Sequence, residues 1–443
     1  MKKIVTIIVC ALILILGVSL VNNQYEEYKK GKVVEALKSK KVDINTVKAG
    51  NDFKDLMPLK STLGDKKIVA MGEATHGTKE FFQMKHRMLE FLVEKMGYNV
   101  FGIEACMSDC MAINDYVLYG KGDAEKVVGG MEFWTWDTKE VVDMVKWMRE
   151  YNKNHDKKVK FYGFDMQSSD TAATKVTEYL KKVDPVYEGQ IDSVLGKFRI
   201  PNVFDNKDVQ LPGDKVKEII NIMEKNKNDY INKSSKEDYE LYKQNLNIIY
   251  QAYDMLHGKQ SNTEMENKRD KYMAENVKWI LDFQGQDAKI MLWAHNTHVD
   301  KQEDNLNNGD YNVKRMGANL YDMYKDKLYV IGFQFNEGTA IAVDKTSQPN
   351  VLKKCTLKAA NKESAPYILS KVSPLFFIDF KTAAENKYIK GFISSSQSCR
   401  DFGATFEGDN KSYVNTTLNE SYDGLIYIDK TTDSEPNYLI PNK

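Results

Sequence analysis

The chain has 443 residues, of which 42% are hydrophobic and 11% aromatic, so it can build a full core and disorder is excluded as the default. Its 63 lysines and arginines balance 63 aspartates and glutamates, which excludes the basic excess typical of nucleic-acid-binding proteins. The expected partners are therefore small molecules.

The first 28 residues are predicted to be a signal peptide or an N-terminal membrane anchor. Lys2 and Lys3 precede an uncharged apolar run at 4–21, which is the pattern of an export signal. The run is about as long as a membrane-spanning helix, and no clear small-residue cleavage site follows it. The sequence therefore predicts that residues 29–443 lie outside the cytoplasm, secreted or held at the membrane only by this segment.

Short apolar strands alternate with helical segments from residue 67 onward. This alternation is typical of βαβ units and predicts a parallel sheet. The first predicted strands are 67–71, 99–103 and 159–164, and the helices predicted among them are 78–96, 109–119 and 138–151.

Residues 185–285 interrupt the alternation with polar sequence that is poor in strands. We interpret this segment as a helical insertion that caps a cleft, with helices near 214–232, 236–256 and 266–283. Strands resume at 288–293, 328–333 and 339–343, and later apolar runs at 375–380 and 425–428 are predicted to be edge strands. The predicted fold is α/β, a mostly parallel sheet flanked by helices, in one catalytic domain over 29–443.

Ionisable side chains follow four of these strands at the point where each strand ends. The carboxyl ends of parallel strands share one rim of a sheet, where α/β folds bind ligands. Each residue also has a purely structural explanation: Asp165 could cap a helix, and Glu104 could pair with Lys85 or Arg87. Their common position favours a functional site made of Glu73, His76, Glu104, Asp165, His295 and His298.

Two mechanisms fit these residue types. In one, a histidine acts as general base on water while a carboxylate orients its ring. In the other, histidines and carboxylates bind a divalent metal that activates the water. Residue types alone do not separate these mechanisms, and a third hypothesis is an envelope binding protein that uses the cleft only for recognition. A serine nucleophile is not indicated, because the chain has no G-x-S-x-G turn.

Several short motifs occur in a fixed order around these residues. They include Gly72–Gly77 (GEATHG), Phe133–Trp136 (FWTW), Gly163–Gln167 (GFDMQ) and Trp293–His298 (WAHNTH). Together they resemble the erythromycin esterase family over about residues 55–345. The resemblance implies an α/β core beside a cleft, and hydrolysis of an ester or macrolactone by water that a histidine activates without a bound metal or other cofactor.

The resemblance also implies roles for individual residues. It identifies His76 as the histidine that activates water, with Glu73, Glu104, His295 and His298 lining the same cleft. Lys85 stands nine residues after His76, where the family carries an arginine, and it offers a point charge instead of a planar two-pronged donor. The candidate substrate-binding residues are Lys85, Arg87, Asp165 and Trp136. The expected activity is a carboxylic ester hydrolase, and the alternative is a metal-dependent hydrolase of an envelope or peptide substrate.

Overall fold

The structure of the protein is a computed structural model, and it describes residues 24–206, 208–305, 312–346 and 348–437. The strands are β1 (Val42–Asp43), β2 (Ile68–Met71), β3 (Val100–Cys106), β4 (Lys160–Asp165), β5 (Ile290–Trp293), β6 (Glu303–Asn305), β7 (Asn312–Lys314), β8 (Leu328–Asp344), β9 (Val351–Leu357), β10 (Leu375–Asp379), β11 (Ser396–Arg400), β12 (Thr405–Phe406), β13 (Tyr413–Thr417) and β14 (Gly424–Thr431).

The helices follow the predicted alternation in most places. They are α1 (24–40), α2 (Leu59–Leu63), α3 (Lys79–Met96), α4 (Cys110–Tyr119), α5 (Ala124–Gly129), α6 (Lys139–Asn154), α7 (Asp170–Val183), α8 (Glu188–Leu195), α9 (Gly213–Lys225), α10 (Lys227–Lys233), α11 (Lys236–Leu256), α12 (Asn262–Gln284), α13 (Asn296–Val299), α14 (Met316–Tyr324), α15 (Ala365–Ser370), α16 (Phe380–Ala383), α17 (Lys387–Ile393) and α18 (Leu418–Ser421).

Ten strands form the central sheet, in the order β1-β10-β14-β8-β2-β5-β3-β4, with β9 and β12 also paired to β8. All neighbours from β14 to β4 are parallel. Strands β1 and β10 extend this sheet in antiparallel fashion. The predicted α/β fold with a mostly parallel sheet is confirmed.

Two details of the predicted strands differ from the structure. The segments 328–333 and 339–343 are not separate strands, because both belong to the single long strand β8. The assignment of 375–380 and 425–428 to edge strands is wrong. Strand β10 pairs with β1 and β14, and β14 pairs with β10 and β8, so both are interior. The continuous apolar run of β14 is buried along Gly424–Ile428, which is typical of a strand covered on both faces.

Apolar side chains of the parallel strands alternate between the two faces of the sheet, and each face has its own core. Ile68 and Ala70 of β2 pack into the core that includes α7, α9, α11 and α12. Val69 and Met71, the intervening residues, pack into the core that includes α3, α4 and α6. This period of two is what a strand buried on both faces requires. The helices therefore hold the strand ends rigidly from both sides.

Helices α8 to α12 occupy most of the predicted insertion at 185–285. The helix predicted near 214–232 is divided into α9 and α10, whereas α11 and α12 lie close to their predicted bounds. Helix α12 contacts β4 and α14, which places it beside the rim of the sheet. The role of the insertion as a cap over a cleft stays a prediction.

The predicted signal or anchor lies mainly in residues 1–23, outside the described residues. Within the described parts of the chain, no helix is both long and apolar enough to cross a membrane. The four cysteines of the body, which are all buried free thiols, are Cys106, Cys110, Cys355 and Cys399.

Candidate active site

Four parallel strands bring polar side chains to one rim of the sheet. Strand β5 lies between β2 and β3, so Met71 and Ile103 both pair with Trp293. Ile103 also pairs with Gly163 of β4. Because these positions are in register, the residues near or beyond the strand ends meet at one place, as the sequence predicted. They are Glu73, His76, Glu104, Asp165, His295 and His298.

The loops after β2 and β5 are joined by backbone contacts that leave little room for side chains. Asn296 N donates to Glu73 O (2.9 Å), and the Asn296 amide exchanges two hydrogen bonds with the backbone of Phe333. At Gly77, a Cβ would lie 2.0 Å from Ile341 O, so only glycine allows β8 to approach the loop this closely. These contacts fix the position of the loop that carries His76 relative to β5 and β8.

His76 is held by a buried carboxylate. Its Nδ1 lies 2.7 Å from Glu73 Oε1, while Glu73 Oε2 accepts from Lys85 Nζ (2.7 Å) and Trp293 Nε1 (2.8 Å). Glu73 and Lys85 are fully buried, whereas 13% of the His76 side chain is exposed. The Glu73 carboxylate thus faces three donors. Of the side chains that supply them, only His76 is partly exposed to solvent.

The charges of this group explain its protonation. Burial by itself would raise the pKa of Glu73, but the Lys85 ammonium and the His76 hydrogen bond outweigh burial and hold this pKa below its ordinary value. An ionised carboxylate only accepts, so the shared proton belongs to His76 Nδ1, and the neutral form of the ring has its lone pair on Nε2. Burial lowers the pKa of Lys85 to about 8, against the opposing attraction of Glu73.

A second cluster is centred on Arg269 of α12. Its Nη2 donates to Glu104 Oε1 (2.8 Å) and Asp165 Oδ2 (2.7 Å), and its Nη1 lies 3.0 Å from His298 Nε2. Burial would raise the pKa of Glu104, but His298 and Arg269 oppose it and hold this pKa well below its usual range. Glu104 Oε2 also accepts from the backbone N–H of His295 (3.0 Å), which joins this cluster to the loop after β5.

His298 is engaged at both ring nitrogens. Its Nε2 lies 3.0 Å from Arg269 Nη1 and 3.3 Å from Glu104 Oε1, and its Nδ1 faces Asp270 Oδ1 at 2.8 Å. Asp270 is fully buried and also accepts from the backbone N–H of Met316. His298 therefore connects the insertion helix α12 to the strand-end loop.

His295 lies directly beside His76. Their ring centroids are 4.9 Å apart, and Nε2 of His295 lies 2.7 Å from Asp401 Oδ1. Asp401 belongs to a segment that crosses this site, because the backbone N–H of His76 donates to Gly403 O (3.3 Å). The histidine pair is thus covered by a segment from the last quarter of the chain.

Two of the predicted substrate-binding residues lie beside this cluster. The Trp136 ring packs edge-on against His76, with centroids 5.5 Å apart, and its Nε1 donates to Glu104 O (2.8 Å). Lys85 contacts Glu73, as described above, and its complete burial makes it a partner of the carboxylate rather than an exposed donor. Both residues therefore hold the side chains of the site in place from its buried side.

Arg87 lies apart from the cluster. Its guanidinium forms a two-pronged pair with Asp55, at 2.9 and 2.6 Å, and donates to the backbone oxygens of Thr46 and Asp52. The side chain is 1% exposed. Neither Arg87 nor Lys85 pairs with Glu104 in the described structure, where that partner is Arg269. Asp165 likewise pairs with Arg269. It does not cap the next helix, because the residue at the N-cap position of α7 is Ser169.

Sequence reasoning missed Arg269, Asp270 and Asp401. A signal for the first two was present, because Met273 and Ala274 belong to the apolar stripe of α12 and lie three to five residues after this charged pair. Charged residues on the buried side of a helix require partners. No comparable pattern marks Asp401, which lies in a loop.

In the described residues, no group of three or more histidine, cysteine, aspartate or glutamate side chains is arranged to hold a metal ion. The carboxylates of the site instead face protein cations and histidines. Glu73 is satisfied by Lys85, and Glu104 and Asp165 by Arg269. The arrangement offers a histidine lone pair next to a second histidine, both fixed by charged partners.

Comparisons with known proteins agree with this fold. The sequence model of the erythromycin esterase family matches residues 93–431, a range that contains Glu104 and His295 but begins after His76. The chain is similar to the putative hydrolase YbfO of Bacillus subtilis, with 25% identity over 86% of this chain and 87% of that one. It is also similar to an erythromycin esterase type II of Escherichia coli, with 24% identity over 91% and 99%. A Bacillus cereus protein of known crystal structure superimposes with a TM-score of 0.81, at 28% identity over 92% and 99% of the two chains.

Proposed function

Since the chain belongs to the erythromycin esterase family, we propose that it hydrolyses an ester or lactone with water activated by His76. The observation that carries this proposal is the contact between His76 Nδ1 and the buried Glu73 carboxylate, which leaves the Nε2 lone pair beside His295. A base of this kind needs an orienting carboxylate and a partly exposed ring, and His76 has both.

The proposed reaction has two steps. His76 Nε2 takes a proton from water while the water oxygen bonds to the carbonyl carbon, and the carbonyl π electrons move onto oxygen. When this intermediate collapses, the C–O bond to the alcohol breaks, and the departing oxygen takes the proton back from His76. Ionised Glu73 stabilises the imidazolium that exists between the two steps.

A relative and the geometry of the site support a class of substrate. The Escherichia coli relative is named for erythromycin, which motivates a macrolactone as one candidate. In this chain Lys85 is buried against Glu73, so it holds the carboxylate and leaves substrate contacts to the exposed edge of the cluster. We therefore propose a small-molecule ester or lactone, with macrolides tested as one member of a panel.

The test is water addition measured by mass spectrometry. Purified protein is incubated with erythromycin and simple esters, with and without a chelator, beside His76→Ala and the control His155→Ala. His155 is exposed and stacks on Tyr151, so its loss should leave turnover unchanged. We expect hydration that resists chelation and disappears only in His76→Ala.

Other outcomes have defined meanings. Equal turnover in His76→Ala and the wild type would refute the proposal. Loss of turnover on chelation, restored by added divalent metal, would replace it with a metal-dependent hydrolase. No hydration of any substrate, combined with a ligand that raises the melting temperature, would favour an envelope binding protein.

We also propose that the protein body acts outside the cytoplasm. The proposal rests on Lys2, Lys3 and the apolar run at 4–21, which have the composition of an export signal. Cell fractionation and protease treatment of intact cells test it. Protein protected inside the cytoplasm would contradict it.

A further inference from the structure

A second histidine–carboxylate contact faces the first one. His295 Nε2 and Asp401 Oδ1 lie 2.7 Å apart, and both side chains are at least nine-tenths buried. The contact does not have the geometry of a hydrogen bond, and neither atom has a hydrogen-bond partner among the described residues. A carboxylate this close to a buried ring nitrogen favours the form of the ring that carries a proton on that nitrogen.

The contact at the other ring nitrogen of His295 favours the same position of the proton. The backbone N–H of Thr297 points at His295 Nδ1 (3.3 Å), because His295 caps the N-terminus of α13. A backbone N–H only donates, so this contact favours a lone pair on Nδ1 and a proton on Nε2, the atom that lies 2.7 Å from Asp401 Oδ1. His76 has the opposite arrangement, with its proton on Nδ1 towards Glu73.

Both Nε2 atoms border the same space beside Gly403. A Cβ at this position would lie 3.7 Å from His295 Nε2 and 3.8 Å from His76 Nε2. Gly403 has φ +55°, a conformation that glycine adopts without strain, and it leaves this space free of side chain. One histidine therefore offers an acceptor and the other a donor to the same point.

The backbone fixes Asp401 relative to both histidines. Phe402 N donates to Ala74 O (3.1 Å), and Asp401 N donates to Ser412 O (2.9 Å). Just before it, Arg400 exchanges hydrogen bonds of 2.9 and 3.0 Å with the Gln334 side chain. The Asp401 carboxylate thus lies on a segment that is hydrogen-bonded to the loop that carries His76.

We propose that Asp401 is the positioning residue of His295, holding its proton on Nε2 so that this nitrogen donates to the substrate oxygen while His76 activates water. The inference rests on the proposed hydrolysis. A substrate oxygen that enters the space beside Gly403 accepts the Nε2 hydrogen of His295, which has no hydrogen-bond acceptor among the described residues. As negative charge develops on that oxygen, this hydrogen bond strengthens, which is how a fixed donor stabilises a transition state.

Three variants separate positioning from charge. Asp401→Ala removes the acceptor, Asp401→Asn keeps an acceptor oxygen without the charge, and Glu407→Ala is a control on the same segment with an exposed side chain. We expect Asp401→Ala to lower kcat by about 10- to 100-fold with KM nearly unchanged. Asp401→Asn should retain more activity, and Glu407→Ala should match the wild type.

Nitrogen-15 NMR of the histidine side chains gives a readout that needs no substrate. His295 is assigned by its absence in His295→Gln. We expect its Nε2-protonated form in the wild type and in Asp401→Asn, and a mixture of both neutral forms in Asp401→Ala. An unchanged His295 signal in Asp401→Ala, or unchanged kcat, overturns the inference.

Failure of the proposed function is distinguishable from failure of this inference. If no substrate is hydrolysed, the NMR comparison still determines whether Asp401 sets the protonation of His295. If Asp401→Ala does not fold, as judged by circular dichroism, the inference is tested on the His295 signal of Asp401→Asn. Loss of the Nε2-protonated form in folded Asp401→Asn would then contradict positioning by an acceptor oxygen.

Discussion

Replacing Glu73 by glutamine keeps the shape of the side chain but leaves it only one acceptor oxygen for three donors. The donors are His76 Nδ1, Lys85 Nζ and Trp293 Nε1, and the last two share one carboxylate oxygen. With the amide oxygen on that side, the amide NH2 faces His76 and donates to Nδ1. The proton of His76 must then move to Nε2, and the lone pair proposed to accept the water proton is lost.

The opposite amide orientation would keep the proton on His76 Nδ1, but it would place the NH2 group against two buried donors, Lys85 Nζ and Trp293 Nε1. A buried donor without an acceptor costs about 1–3 kcal/mol, so this orientation is disfavoured by roughly 2–4 kcal/mol after partial relaxation. At 1.4 kcal/mol for each factor of ten, the competent form falls by about 30- to 1,000-fold. Loss of the charge that stabilises the imidazolium adds to this effect, so we expect kcat to fall roughly 1,000-fold.

The assay compares kcat for Glu73→Gln and the wild type on any substrate that the wild type hydrolyses. Glu140→Gln is the matched control, because Glu140 is also a buried carboxylate but lies on α6 and accepts from the backbone N–H of Glu435. Nitrogen-15 NMR should show His76 protonated on Nε2 in the variant. A folded Glu73→Gln protein with kcat within about threefold of wild type would refute the reasoning, since a wrong tautomer should cost far more.

Two further substitutions test the charges around the histidines. The pKa of Lys85 is about 8, so above this pH Glu73 loses its ammonium partner and kcat should decline. Lys85→Arg keeps its charge, so it should move this alkaline limit upward in a pH–rate profile. Equal alkaline limits in the two proteins would exclude Lys85 as the cause. Arg269→Met leaves Glu104 and Asp165 buried without their cation, so the free energy of unfolding should fall by about 3–5 kcal/mol at pH 7. Arg269 helps to lower the pKa of Glu104, so this pKa should be higher in the variant than in the wild type. The carboxyl of the variant then protonates first as the pH falls, and the deficit in urea unfolding should shrink below about pH 4. A loss independent of pH would contradict this account.

The strand ends of the site were predictable because they depend on local patterns. Short apolar runs at β2, β3, β4 and β5 predicted parallel strands, and the residues that follow them then had to share one rim. The interior position of β14 was not predictable in the same way. An apolar run is similar in an edge strand and in a central one, and its neighbours β10 and β8 are chosen by long-range pairing.

The partners of the charged residues show the same limit. The structural explanation considered for Glu104 was a pair with Lys85 or Arg87, but its cation is Arg269 of α12. Arg87 instead pairs with Asp55. Any buried carboxylate requires a cation or donors, but the requirement does not specify which residue supplies them.

The sequence by itself determined the sheet, the helical segment between β4 and β5, and the strand-end positions of Glu73, His76 and His295. These features follow from hydrophobic periodicity and from the geometry of parallel strands, which act over a few residues. Only the tertiary structure decided that Arg269 neutralises the carboxylates and that Asp401 faces His295. Both residues come from distant segments, and contacts of that kind depend on how the whole chain packs rather than on any local pattern.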